Sequence, residues 1–434
     1  MAAAACSSDK LVNITTPDVI PLPIATDPAN IDVLKNGVTF EFARALTGPA
    51  SNNSTPGIVG LSAVMTDEMW YSSTFTTMRD IDRRVIDVAN TDLLHGYQYL
   101  HRARNLAEQA IAQYPLTPKN NSSDHAMVTN LAGFTYLFFA ENFCSGVPFS
   151  TTSLNSAITY GPPLTTAQTL DSAIARFNAA LLRATAANSL TQKNLAHLGL
   201  ARALLDKDNF AAAAAEAAKV TDGFEFDIEY SANSSGQQNG VWWNNQSEGR
   251  SSAASLEGGN GLDFFSRGPS GTNTTDPRTP ADSIGSGLGQ AALPLYAALK
   301  YPSGDAPVPL GTTTEARLIQ AENDLALGTS NTYLTTLNTL RAGIGLTPLV
   351  DPVTADGRVR QFFRERAFWL WMTAHRLGDL RRMIRDYGYT QAQVFPSGKT
   401  IRGGAYGTDV NLPIPFQEQN NPQFANGSCI DRNP

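Results

Sequence analysis

The chain has 434 residues, of which 42% are hydrophobic and 16% are charged, and its net charge is -7 at pH 7. This length and apolar content allow a large core, while uncharged polar residues must cover much of the surface. The negative charge and the lack of a long basic run argue against a nucleic-acid partner. No apolar stretch approaches the roughly 20 residues that span a bilayer.

Three cysteines occur in the chain. Cys6 lies in MAAAACSSDK, between small residues and a polar tail, which is typical of the lipid-modified cysteine of a bacterial lipoprotein. Because no charged and apolar leader precedes it, a chance cysteine in a disordered terminus is the alternative. Cys144 and Cys429 can form a disulfide in an oxidising compartment, and two buried free thiols are the alternative.

Residues 7 to 60 are rich in Pro, Asn and Thr, with one short helix predicted near Val38–Leu46. Helical periodicity then dominates, beginning with DLLHGYQYLHRARNLAEQAIAQY. Steps of four and three place one face of this helix on Leu93, Tyr97, Leu100, Arg104, Ala107 and Ile111. Pro115 is expected to end the helix.

Further helices are predicted in DHAMVTNLAGFTYLFFAENF, LDSAIARFNAALLRATAA and KNLAHLGLARALLDKDNFAAAAAEAAKV. In the last of these, Ala196, Gly199 and Ala203 are small enough to let two helices approach closely across the DKDNF turn. This unit resembles a tetratricopeptide helix pair, and TTTEARLIQAENDLAL with NTYLTTLNTLRAGIG forms a second. We predict a mainly α fold of about four helix pairs, which must stack to bury their apolar faces.

The two helical blocks are separated by residues 224–313, where the periodicity is lost and segments such as GVWWNNQ and GLDFFSRGPSG appear. A long loop-rich insertion in a compact protein is usually functional or contains short elements of its own. The predicted organisation is one compact unit with these parts: an N-terminal tail 1–75, helices 76–223, the insertion 224–313, helices 314–388 and a C-terminal loop segment 389–434.

The stretch RQFFRERAFWLWMTAHRLGDLRRM, residues 360–383, combines aromatic residues with arginines. Its spacing predicts a helix buried on two faces, whose arginines must form ion pairs or extend to the surface. We expect Gly378 to stop this helix, Asp379 to cap the next one, and Arg382 to pair with Asp379 and Asp386. These roles are structural.

The order of these segments resembles that of the SusD/RagB family of outer-membrane nutrient-uptake lipoproteins. The resemblance rests on RQFFRERAFWLWMTAHRLGDLRRM, TEARLIQAENDLAL, LFFAENFCSGVPFS and LPIPFQEQNNP. It implies a tetratricopeptide-like fold and capture of oligosaccharide or polysaccharide on the outer face of the bacterial outer membrane. It also implies a lipid anchor on Cys6 and a partnership with a TonB-dependent transporter.

Sugar rings stack on flat aromatic side chains, while amides and carboxylates bond their hydroxyl groups. Three segments have this composition. We therefore expect glycan contacts from the following residues: Trp242, Trp243, Asn244 and Asn245, with Gln246 beside them; Asp263, Phe264, Phe265 and Arg267; and Asp67, Trp70 and Tyr71, with Glu68 between them.

Enzymatic functions find little support. The five histidines lack metal-site spacing, no G-x-S-x-G motif occurs, and GSGLG lacks the spacing of a dinucleotide loop. We predict no catalytic residue, metal or cofactor.

Two alternatives remain open. The chain can be the subunit of a self-assembling extracellular filament or sheath, with or without associated glycan, because a contact that does not close on itself extends indefinitely. It can also be a peptide-binding repeat module that uses its concave helical face.

Overall fold

The computed structural model describes residues 27–52, 55–153, 157–265, 276–328, 332–424 and 427–434. These residues are mainly helical, which confirms the predicted fold class. The helices are α1 (Ile31–Thr47), α2 (Ile58–Met65), α3 (Thr76–Asp82), α4 (Thr91–Gln113), α5 (Ser123–Asn142), α6 (Thr166–Ala186), α7 (Leu190–Asp206), α8 (Phe210–Ala217), α9 (Gly240–Trp242), α10 (Thr313–Ala326), α11 (Thr332–Ala342), α12 (Ala355–Trp369), α13 (Arg376–Tyr387) and α14 (Gln391–Val394).

The strands are short and pair in twos. They are β1 (Met69–Tyr71), β2 (Val147–Pro148), β3 (Thr151–Thr152), β4 (Ile158–Thr159), β5 (Pro163–Leu164), β6 (Glu225–Ile228), β7 (Ser251–Ala253), β8 (Ala281–Gly287), β9 (Gln290–Ala298) and β10 (Val308–Thr312). The antiparallel pairs are β1–β7, β2–β5, β3–β4, β6–β10 and β8–β9. Because β6 and β10 lie near the two ends of the predicted insertion, their pairing brings those ends together.

Small residues let the helices of the first block approach closely. A Cβ atom on Gly199 of α7 would lie 2.3 Å from the ring of Phe177 in α6, and one on Gly133 of α5 would lie 2.6 Å from the same ring. Phe177 itself is fully buried. The two glycines thus make room for one aromatic side chain where α5, α6 and α7 meet. The sequence predicts the close approach of Gly199 across the DKDNF turn, to α8, but Gly199 faces α6 instead.

The predicted break in the arginine-rich stretch is in the wrong place. Gly378 lies inside α13, so it does not stop a helix, and Asp379 is not a cap. The break falls between α12 and α13, where Met372 and Ala374 adopt positive φ angles of 54° and 63°. Such angles are uncommon for residues with a Cβ atom, so tertiary contacts must hold the backbone there.

Those contacts come from side chains far away in the sequence. The Glu68 carboxylate accepts a hydrogen bond of 2.6 Å from the backbone N–H of Met372. The hydroxyl of Tyr301 donates to the carbonyl of Met372 at 2.7 Å, and the ammonium of Lys300 donates to the carbonyl of Trp371 at 2.7 Å. The backbone groups that the break leaves without helical partners are therefore satisfied inside the protein.

The arginines of α12 and α13 are buried in ion pairs. Asp379 accepts from Arg366 at 2.9 Å and from Arg382 at 2.8 Å, while Arg382 also pairs with Glu322 at 2.9 Å. Burial alone would raise the pKa of Asp379, but the two guanidinium groups lower it to about 2. The predicted pair of Arg382 with Asp386 does not form, because Asp386 pairs with Arg385 and Arg382 turns inward.

Cys144 and Cys429 form a disulfide with a Cα–Cα distance of 5.8 Å. It ties the chain just after α5 to the C-terminal segment across a sequence separation of 285 residues. Cys6 lies outside the described residues. In the part of the chain that the structure covers, no helix is both long enough and apolar enough to cross a membrane.

Candidate functional site

The three segments predicted to bind sugar converge in space. Strand β1, which contains Trp70, pairs with β7, which follows directly on the segment of Trp242 and Trp243. The Tyr296 ring of β9 lies 6.0 Å from the ring of Trp70 and 5.3 Å from the ring of Phe265. The folding of the insertion onto β1 therefore brings these distant segments together, with most of their aromatic rings facing inward.

The early segment is part of the core, so its predicted role as a sugar platform is wrong. Trp70 and Tyr71 are buried, with 1% and 2% of their surface exposed. Asp67 is fully buried and forms an ion pair of 2.8 Å with Arg376 of α13. Neither the rings nor the carboxylate can contact a ligand outside the protein. Their sequence pattern reflects the anchoring of β1 to the helices.

The second segment also lies mostly in the core, but one of its residues is exposed. Phe264 packs against Phe368 and Trp371 at ring distances of 5.1 and 6.2 Å, and both it and Phe265 are buried. These phenylalanines are core residues, which corrects their assignment to the site. Asp263 remains exposed. Arg267 lies outside the described residues.

Trp242 and Trp243 lie in a tight helical turn that we call the tryptophan turn, residues 239–250. Asn239 begins it, because its side chain accepts from the N–H groups of Val241 and Trp242 at 2.9 and 3.2 Å. The two indole rings lie 6.3 Å apart at an angle of 63°, and each residue is partly exposed. Of the predicted aromatic platforms, this pair alone among the described residues keeps surface available to a ligand.

The amides that follow the tryptophans fix the turn. The buried Asn245 donates to the carbonyls of Ser251 and Tyr296 at 2.7 and 2.8 Å and accepts from the N–H of Ala298 at 2.7 Å. Asn244, also buried, donates to the carbonyl of Gly240 at 2.9 Å. Both predicted sugar contacts are therefore structural, since their hydrogen bonds are made within the protein.

Gln246 has a similar role. Its side-chain amide donates to the carbonyls of Ala298 and Tyr301 at 3.2 and 2.7 Å. Asn245 and Gln246 thus bind β7, β9 and the segment after β9 to the turn, while Asn244 holds the turn itself together. The result is a rigid support for the two indoles, which lowers the entropic cost of ordering them when a ligand binds.

One exposed aromatic ring near this turn was not predicted. Phe75 is 36% exposed, and the guanidinium of Arg250 lies 4.5 Å from its ring centre. Arg250 in turn pairs with Glu248 at 2.5 Å. A single phenylalanine between polar residues carries no periodic signal, so the sequence gives no reason to select it.

The described residues hold no group of three or more His, Cys, Asp or Glu side chains that could bind a metal ion. The arrangement suits contact by stacking and hydrogen bonding.

No protein-family model matches the chain, and no curated protein matches it in sequence. Solved structures do. A SusD superfamily protein from Parabacteroides distasonis superposes with a TM-score of 0.66 at 15% identity, covering 91% of this chain and 98% of that one. The chain has a SusD-like fold.

Two further solved structures are similar to a comparable degree. A SusD-like carbohydrate-binding protein from Bacteroides fragilis has a TM-score of 0.64 at 15% identity, over 92% of this chain and 99% of that one. Surface glycan-binding protein A from Bacteroides uniformis has a TM-score of 0.63 at 14% identity, over 92% and 99%. The structural likeness thus extends over nearly the whole chain. Because the sequence identity is low, the ligand must be inferred from this chain's own residues.

Proposed function

We propose that this chain captures oligosaccharide or polysaccharide at a bacterial cell surface and releases it without chemical change. The observation that carries the proposal is the pair of partly exposed indoles on the tryptophan turn of a SusD-like fold. Solved neighbours with this fold include a carbohydrate-binding protein and a surface glycan-binding protein. The shared fold supports this function by analogy, and the indoles supply the local chemistry.

The angle between the rings indicates what kind of ligand would fit. Trp242 and Trp243 lie at 63° to each other, so one flat sugar ring cannot stack on both. Two sugars of a bent oligosaccharide can each use one ring. Binding then depends on the shape of the glycan chain, and a single monosaccharide would bind weakly.

The remaining parts of the proposal concern the cellular setting. We propose that Cys6 carries the lipid anchor, that the protein lies on the outer face of the outer membrane, and that a TonB-dependent transporter receives the glycan. These parts follow from the family resemblance of the sequence. Mass spectrometry of the N-terminal peptide from native membranes tests the anchor, since an acylated Cys6 adds the mass of its fatty acyl chains.

Affinity electrophoresis of the purified protein in gels containing different polysaccharides tests the capture function. We expect at least one polysaccharide to retard the wild type, and Trp242→Ala and Trp243→Ala each to weaken binding about tenfold, as for a central aromatic contact. Leu182→Ala is the control, because Leu182 is 72% exposed on α6, a helix that packs on α5 and α7 rather than on the turn. Circular dichroism checks that the variants remain helical.

The possible failures have different meanings. If both tryptophan variants keep wild-type retardation, the tryptophan turn is not the site. If no polysaccharide retards the wild type, the capture function itself is contradicted. Electron microscopy for filaments would then test the alternative of a self-assembling subunit.

A further inference from the structure

A second candidate site lies in a groove between α4 and the C-terminal segment, which we call the α4 groove. It is lined by residues of α4, by Pro148, Ser150, Thr152 and Tyr160, and by residues of the C-terminal segment from Pro415 to Asn421, and its volume is about 440 Å³. Binding sites for small molecules typically have volumes of about 300 to 1,000 Å³. None of these lining residues belongs to the tryptophan turn.

The floor of the α4 groove contains a buried arginine that makes no close ion pair. Arg104 is 1% exposed, and its Nη2 donates to the carbonyl of Ser150. Among the described residues its Nε and Nη1 lack a hydrogen-bond acceptor, and Glu418 attracts its charge only at longer range. The guanidinium lies 5.5 Å from the ring centre of Phe149, which desolvates it further.

Other polar atoms in the groove also lack partners. The Nε2 atom of His101 and the Oε1 atom of Gln417 are buried without a hydrogen bond in the described part of the chain. Burial and the charge of Arg104 lower the pKa of His101 well below its usual value, so this imidazole is neutral at pH 7. Buried polar groups usually have partners, so several unsatisfied groups lining one groove indicate that a ligand supplies them.

The rim of the groove provides charge and a stacking surface. Arg102 is exposed and adds a second positive charge, and Tyr160 is 39% exposed. Gln98 and Asn420 add amides to the lining. Glu418 is the single carboxylate of the lining; burial raises its pKa, while the hydroxyl of Tyr97 and the charge of Arg104 oppose that rise. The lining is therefore polar, carries more arginine than acid, and includes one available aromatic ring.

We propose that the α4 groove binds an acidic sugar, with the sugar carboxylate paired to Arg104 and the sugar ring against Tyr160. An arginine that is buried without a carboxylate at ion-pairing distance is complementary to a ligand that brings one closer. A neutral sugar would supply hydroxyl groups but no charge. The ligand class rests on the proposed function, whereas the location and the charge preference come from the groove itself.

Isothermal titration of the full chain with trigalacturonate and with neutral galactotriose tests the proposal. Trigalacturonate should bind more tightly than galactotriose, and added salt should weaken its binding. Arg104→Gln should weaken it tenfold or more, because a buried charge pair is lost. Arg102→Gln should weaken it only about threefold, as expected for a charge at an exposed rim.

Two further variants make the result independent of folding defects at Arg104. Tyr160→Ala alters an exposed ring and should weaken trigalacturonate binding several-fold. Arg83→Gln removes an equally exposed arginine outside the groove, one that pairs with Asp80, and should leave binding unchanged.

The site is overturned if trigalacturonate does not bind, or if Arg102→Gln and Tyr160→Ala bind it as the wild type does. The charge preference is overturned if galactotriose binds equally well. Binding of an acidic peptide but not of trigalacturonate, with the same dependence on Arg102, would assign the groove to a protein ligand and overturn the sugar. Each of these results is distinct from a failure of the capture function, in which no polysaccharide retards the wild type.

Discussion

Arg382 in α13 and Arg104 in α4 are equally buried, at 2% and 1% exposure, but their surroundings differ. Arg382 has three carboxylate partners, Glu322, Asp379 and Asp206, at 2.8 to 3.1 Å. Arg104 has one carbonyl and faces a groove. A buried charge whose partners are all within the protein stabilises one arrangement of the scaffold. A buried charge without carboxylate partners at ion-pairing distance marks a place where a ligand can bind.

The largest expected effect comes from breaking the partnered region. Asp379→Asn should lower the free energy of unfolding by about 3–5 kcal/mol, because Arg366 and Arg382 lose a buried carboxylate. Denaturant unfolding measures the change. Asp171→Asn is the matched control, since Asp171 is 60% exposed in its pair with Lys207. This substitution should lower the free energy of unfolding by less than about 1 kcal/mol. Equal losses for the two variants would contradict the structural role of the buried network.

Removing Arg104 should reduce stability less than breaking the buried ion pairs of Asp379. Arg104→Gln should lower the free energy of unfolding by about 1–2 kcal/mol, because it loses one hydrogen bond, the contact with Phe149 and a longer-range attraction to Glu418 but breaks no close ion pair. Arg366→Gln provides the comparison, since it leaves Asp379 without one of its partners. If Arg104→Gln is as damaging as Arg366→Gln in the same unfolding experiment, the distinction between the two regions fails.

A change of pH should produce a smaller effect at His125. Its Nε2 accepts a hydrogen bond of 2.7 Å from Arg183, and its Nδ1 lies 2.6 Å from the carbonyl of Asn120, so the ring is neutral. Burial lowers the pKa of His125 to about 4. Because the unfolded chain binds this proton near pH 6.5, stability falls as the pH drops from 6.5 towards 4.

Unfolding experiments at pH 7 and pH 5.5 test this expectation. The wild type should lose about 1 kcal/mol more than His125→Gln between these two values. His101 and His375 also have lowered pKa values and act in the same direction, so the difference between the two proteins isolates His125. Parallel losses in both proteins would show that His125 does not contribute.

Much of the fold can be predicted from the sequence because helical periodicity is a local signal. The face of α4 that contains Leu93 and Leu100 is buried, as its spacing predicts. The break between α12 and α13 could not be predicted in this way. It depends on Glu68 and Tyr301, which are remote in sequence from the backbone groups that they bind.

The site is harder to predict for a related reason. Composition selects aromatic and amide side chains but does not distinguish a buried ring from an exposed one. Trp70 and Phe264 are core residues, whereas Trp242 and Trp243, with the same local composition, keep exposed surface. One feature of the sequence indicates the α4 groove, namely the arginine at position 104 on an otherwise apolar helix face.

The structure of the protein with a bound neutral oligosaccharide, chosen from those that retard it in gels, tests the central claim most directly. Glycan capture on the tryptophan turn predicts sugar rings stacked on Trp242 and Trp243, with the turn unchanged. A sugar bound elsewhere, with both indoles free of contact, would contradict the account.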